Sequence, residues 1–169
     1  MDQAFDLGTP GFRVTRTFAF VDLCGFTDFV DEHGDEVGVA ELRLLRAVVR
    51  EVAPLCGVRV DKWLGDGVML VGVEAEPVVA CVLATRQRLA DLGRLPLRAG
   101  IACGDVLLLE GDDYVGRTVN LAARLCDRAE RGQVLGASDR LGVPTNVIAV
   151  PLPPMRVRGH AGGSRRRCS

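Results

Sequence analysis

The strongest constraint on this chain is the order in which two hydrophobic periods alternate along it. A short β-type run, Thr17 to Val21, ends at Asp22. A helix is predicted from about Glu36 to Ala53, where Leu42, Leu45, Val49 and Val52 recur at helical spacing and Glu41, Arg43, Arg46 and Arg50 suit the solvent side. Val58 to Leu64 and Val68 to Val73 then read as strands around Gly65-Asp66-Gly67, a tight-turn composition. The next helix has Pro77 in its first turn and Gly93 at its stop. Leu97 to Cys103 and Val106 to Leu109 read as a second strand pair around Gly104-Asp105, followed by a helix from about Thr118 to Ala129. Val134 to Gly136 and Val147 to Val150 can supply further strands.

Hairpins separated by helices imply an α+β chain with a ferredoxin-like β-α-β-β-α-β core, its sheet mostly antiparallel and its helices on one face. With 169 residues, 48% of them hydrophobic, the chain suffices for one domain with a real core. Residues 1–15 read as a lead-in, 16–158 as the domain, and 159–169 as a basic Gly/Arg tail expected to be disordered. That tail lacks β-type residues, so a C-terminal closing strand can be missing from the sheet.

Several function classes fall away early. A net charge of −1 and 5% aromatic residues do not suit a nucleic-acid surface. No apolar run approaches the roughly 18 residues that a span requires, so no stable membrane insertion is expected. The first ten residues have no basic signal-peptide start, which makes a cytoplasmic chain the expectation. Six scattered cysteines without a Cys-x-x-Cys pair read as reduced, packed thiols. His33 and His160 lie in polar, Gly-flanked stretches and are expected to be exposed.

Four features can carry chemistry. Asp22 ends one strand and Asp66 occupies a turn between two others; if the strands are neighbours, two carboxylates meet and suit Mg²⁺ or Mn²⁺. Asp66-Gly67 is equally an ordinary hairpin turn, and Asp22 equally a helix cap. Gly25-Phe26-Thr27 follows Asp22, where a small residue before a helix lets backbone N–H groups approach a phosphate. Strict alternation places Lys62 with Val58 and Val60, and Arg59, Asp61 and Trp63 on the other face. A lysine there either snorkels to water or recognises a ligand such as a purine nitrogen. Asn120 and Arg124 share a helix face one turn apart and suit a sugar and a phosphate, or simply a solvated surface.

Taken together, these segments resemble a known family. Phe20-Val21-Asp22-Leu23-Cys24-Gly25-Phe26-Thr27 resembles the first metal-binding segment of class III adenylyl and guanylyl cyclases, and Lys62-Trp63-Leu64-Gly65-Asp66-Gly67 resembles the second. Gly100 to Val106 is similar to the family's following strand, and Asp113 to Leu125 to its most specific stretch; the match runs through about residues 16–138.

The resemblance implies that Asp22 and Asp66 bind two divalent metal ions, Mg²⁺ or Mn²⁺, and that Gly25, Phe26 and Thr27 contact the phosphates. Lys62 and Asp113 would read adenine, Asn120 would orient the ribose, and Arg124 would stabilise the α-phosphate. The expected activity is an adenylyl cyclase converting ATP to 3′,5′-cyclic AMP and pyrophosphate at the interface of a head-to-tail homodimer, or of a pair with another cyclase subunit. A silent cyclase homology domain that binds nucleotide or dimerises is the alternative; guanylyl cyclase activity is disfavoured by Lys62 and Asp113. Trp63, a shortened segment from Ser138 to Val150, and the tail depart from the family pattern.

Overall fold

In the computed structural model the described residues are 11–109, 113–137, 139–154 and 165–168. His160 and the proposed boundary at 158 lie outside them. The elements run β1 (Phe12–Leu23), α1 (Phe26–His33), α2 (Asp35–Leu55), β2 (Arg59–Leu64), β3 (Gly67–Gly72), α3 (Ala75–Asp91), β4 (Leu97–Leu108), β5 (Tyr114–Val115), α4 (Arg117–Arg128), β6 (Val134–Ala137), β7 (Ala149–Leu152) and β8 (Arg165–Cys168). The sheet order is β2-β3-β1-β4-β6-β8-β7, with β5 paired to β4. Every pairing is antiparallel except β4 with β6. The expected α+β, mostly antiparallel architecture is present.

Side-chain alternation divides the core in two. On one face Ala19, Val21, Leu23, Val68, Leu70, Leu97, Ala99 and Ile101 pack with Leu45 and Val49 of α2 and Val78, Val82 and Leu89 of α3. On the other, Phe18, Met69, Val71, Ala102 and Val106 pack with Leu121, Ala122 and Leu125 of α4. The two helices of the ferredoxin-like core thus share a face as expected, while α4 covers the opposite one. Gly100 explains how: an added Cβ there would lie 2.1 Å from the Cys126 backbone nitrogen and 2.2 Å from the Ala122 carbonyl oxygen. Only a residue without a side chain lets α4 lie this close to the strand.

Four local expectations need correction, and one helix is added. Gly104-Asp105 is not a turn, because β1 is 12 residues long and pairs continuously through both positions, Arg16 opposite Gly104 and Thr15 opposite Asp105. For the same reason Phe12 to Thr15 are strand, not lead-in. Glu41 is buried, with its Oε1 2.7 Å from Nη2 of Arg94, so a cross-element ion pair overrides its place on the polar side of α2. The additional helix α1 is bracketed by Gly25 and Gly34, both at positive φ, and its Val30 packs against Gly38 of α2. Finally, the tail contributes β8, paired to β6 and β7. Strand pairing is made by backbone groups, and an available edge outweighs weak side-chain propensity.

His33 is exposed as expected, stacked on Phe29 with ring centroids 4.4 Å apart. Cys24, Cys56, Cys81, Cys103 and Cys126 are free thiols.

Candidate active site

Asp22 is the penultimate residue of β1, in register with Gly67 of β3 and Arg98 of β4. Its strand is therefore a direct neighbour of the hairpin that carries Asp66. The β2–β3 turn is tied to β1 by the Leu23 N–H, which donates to the Asp66 carbonyl at 3.2 Å. Gly65 takes φ 63° in that turn. Gly67 is required by contact: an added Cβ would lie 2.6 Å from the Val21 carbonyl oxygen.

The electrostatics of the two carboxylates differ. Nε and Nη2 of Arg98 both donate to Oδ2 of Asp22, at 3.0 and 2.7 Å, leaving Oδ1 turned toward Gly67. Burial, and secondarily the charge of Asp22, hold the Asp66 carboxyl above its ordinary pKa. A half-buried acid destabilised in its charged form by a neighbouring acid is an environment that a divalent cation relieves. Among the described residues no cluster of three or more His, Cys, Asp or Glu side chains is arranged to hold a metal ion. Asp22 and Asp66 alone fit a partial shell that other oxygens complete.

Beside Asp22 the chain turns through Gly25, whose left-handed φ of 72° starts α1. Thr27 is exposed, whereas the Phe26 ring packs into the core, so Phe26 can offer a ligand only its backbone. A guanidinium nitrogen of Arg131 lies 3.8 Å from the position of an added Gly25 Cβ, which brings positive charge to the same turn.

The face of Lys62 was misassigned by strict alternation, and the reason is specific. The register slips at Asp61: Val60 pairs with Leu70, but Lys62 pairs with the next residue, Met69. A bulge adds one residue and inverts every side chain beyond it. Val60 and Trp63 therefore share the α2/α3 face, where Arg46 and Arg50 lie over the indole at 5.3 and 5.5 Å. Lys62 is turned to the face of Asp22 and α4. There its Nζ donates to Oδ1 of Asp113, and both side chains remain about half exposed. This bond, reinforced by the Asp113 charge, holds the ammonium pKa above its ordinary value.

Asn120 and Arg124 are exposed on α4, one turn apart and off the buried stripe of Leu121, Ala122 and Leu125. Thus Asp22 with Asp66, Lys62 with Asp113, and Asn120 with Arg124 form three groups, all on or at the border of the α4 face. Arg98 and Arg131 complete the surroundings and were not expected from sequence. Arg98 had a legible signal, as the single charge in the run from Leu97 to Cys103.

No protein-family model matches the chain. An uncharacterized protein of Mycobacterium tuberculosis is 34% identical over 154 residues, 90% of this chain and 40% of that protein. An adenylate cyclase of Glutamicibacter nicotianae is 31% identical over 131 residues, 77% of this chain and 32% of that protein. The chain therefore spans less than half the length of these curated relatives. Among solved structures, an adenylyl cyclase from P. aeruginosa aligns with a TM-score of 0.77 at 22% identity, covering 95% of both chains. The guanylate cyclase domain from Catenaria anguillulae, solved with GTP, aligns at 0.78 and 21% identity over 93% of this chain and 97% of that one.

The fold is that of the class III nucleotidyl cyclase catalytic domain. By sequence the chain is similar to proteins named adenylate cyclases, at 31% and 30% identity.

Proposed function

We propose that the chain is an adenylyl cyclase that forms 3′,5′-cyclic AMP and pyrophosphate from ATP. The observation that carries this reading is the Lys62–Asp113 pair, turned by the Asp61 bulge onto the face of Asp22 and Asp66. An ammonium donates to adenine N1, and a carboxylate accepts from the exocyclic amine; guanine presents a donor at N1 and an acceptor at C6 and suits neither.

In the reaction the bond from the ribose 3′-oxygen to the α-phosphorus forms, the bond to the β-phosphate bridging oxygen breaks, and the 3′-hydroxyl proton passes to solvent. Asp22 and Asp66 hold two divalent cations, Mg²⁺ or Mn²⁺, whose chemistry is to offset negative charge on the reacting and departing phosphates. Backbone N–H groups from Gly25 to Thr27, at the start of α1, would donate to those phosphates. Asn120 orients the ribose, and Arg124 stabilises charge on the α-phosphate.

The resemblance further implies that the carboxylates of one subunit work with Lys62, Asp113, Asn120 and Arg124 of its partner in a head-to-tail homodimer. The partner could equally be another cyclase subunit. In the alternative reading, the domain is silent and binds nucleotide only; the mutual pairing of Lys62 and Asp113 is compatible with it.

The deciding assay is cyclic nucleotide production from ATP and, separately, GTP with Mn²⁺. Cyclic AMP from ATP that disappears in Asp66→Ala supports the enzyme and its metal site together. A folded dimer that forms no product favours the silent reading. Mixing inactive Asp22→Ala with inactive Asn120→Ala should restore one good site per heterodimer; no recovery would rule out the shared site.

A further inference from the structure

The two base-reading residues are tied together a second time, by side chains beside them. Arg59, on the same strand as Lys62, donates from Nη2 to the Tyr114 hydroxyl at 3.2 Å and to Oδ1 of Asp61 at 3.1 Å. Its guanidinium carbon lies 5.9 Å from the Tyr114 ring centroid. The Asp61 side chain is only 5% exposed and is the extra residue of the bulge that turns Lys62. Tyr114 follows Asp113 directly and packs edge-on against Phe18, with ring centroids 5.2 Å apart.

The topology makes this contact informative. Tyr114 belongs to β5, which among the described residues pairs with β4 alone, whereas β2 is at the far edge beyond β3 and β1. Tyr114 meets β2 across Phe18, and Arg59–Tyr114 is a second fastening beside Lys62–Asp113. One guanidinium thus connects the bulge that aims Lys62 to the residue that follows Asp113.

We propose that Arg59 and Tyr114 are positioning residues for base selection: their contact fixes the spacing between Lys62 and Asp113 and so sets the preference for an adenine over a guanine nucleotide. This rests on the adenylyl cyclase reading above. Neither residue needs to touch the base. A rigid pair can reject the wrong pattern of donors and acceptors, whereas a loose pair adapts to it.

The test measures kcat/KM for ATP and for GTP in the full chain, in Tyr114→Phe, Arg59→Met, Arg59→Lys and the Tyr114→Phe/Arg59→Met double variant. Tyr114→Phe removes one oxygen and preserves the ring packing on Phe18. Each single loss should lower the ATP-to-GTP ratio by about threefold to tenfold, mostly through a higher KM for ATP. The double variant should be no worse than either single one, and Arg59→Lys should recover part of the ratio. Single variants that keep the native ratio within about twofold while folding normally would overturn the inference. If the native chain turns nothing over, cyclase activity fails but positioning is still read, by equilibrium binding of fluorescent ATP and GTP analogues. There, a preference lost in Tyr114→Phe supports the inference, and a preference unchanged, or absent from the native chain, overturns it.

Discussion

The two faces of the sheet are built to different standards. The face toward α2 and α3 is closed: Ala19, Val21, Leu70, Leu97 and Ile101 are at most 2% exposed beneath two helices of 21 and 17 residues. The opposite face is covered by the 12-residue α4 and by the β5 hairpin, and Asp22, Lys62, Asp113, Asn120 and Arg124 remain accessible around them. One face carries stability and the other is left incomplete. Polar groups that must meet a charged ligand cannot also be buried without partners, so a site of this kind requires part of the sheet to go uncovered.

Truncating matched leucines is the strongest way to break that comparison. Leu97→Ala, on the closed face, should lower the free energy of unfolding by about 2–5 kcal/mol in urea titrations. Leu121→Ala, at 9% exposure on α4, should cost less, because its cavity opens toward solvent. If the two losses were equal, or Leu121 the more costly, the division of labour between the faces would be wrong.

The same division explains what was legible in the sequence. The closed face is a matter of hydrophobic period, and Leu45 and Val49 were readable from it. Asp22, Asp66, Lys62, Asn120 and Arg124 were singled out as candidates from local residue pattern, and Asp113 through the family resemblance, both of which survive errors about the local backbone. What could not be read were features decided by contacts distant in sequence. The Asp61 bulge depends on how β2 meets Leu70 and Met69, and strict alternation therefore gave Lys62 the wrong face. Gly104-Asp105 has turn composition, yet the partner strand β1 holds it extended. Glu41 is buried because Arg94 reaches it across 53 residues of sequence (94 − 41). Arg59 and Tyr114 are 55 residues apart, and no local pattern announces their bond.

A smaller effect sharpens the comparison at the site itself. The folded pKa of Asp66 is raised, so the native state binds more protons than the unfolded chain in the interval above the ordinary value of 3.8. The resulting loss of stability is absent below that value and complete once pH exceeds the folded pKa. Asp66→Asn removes the charge and should therefore stabilise the metal-free chain at pH 7, by no more than about 1 kcal/mol given its partial exposure. The gain should vanish as pH falls below about 4, and the proposed cyclase activity should be lost at every pH. Destabilisation at pH 7 would mean that the carboxylate serves the fold, contrary to the view that this face is held open for a cation.

The smallest effect concerns two thiols, one under each helix layer. Burial pushes both Cys81 of α3 and Cys126 of α4 up to about 12. At pH 8 about one such thiol in ten thousand is ionised, so alkylation by iodoacetamide must await local opening. Any difference in labelling then reports which layer opens first. Cys81 is fully buried within the α2/α3 core, whereas Cys126 is 5% exposed on the single helix of the other face. Peptide mapping by mass spectrometry in low urea should show Cys126 labelled several-fold faster than Cys81. Equal rates would mean that both layers open in one cooperative step, and that the open face loses no rigidity by being open.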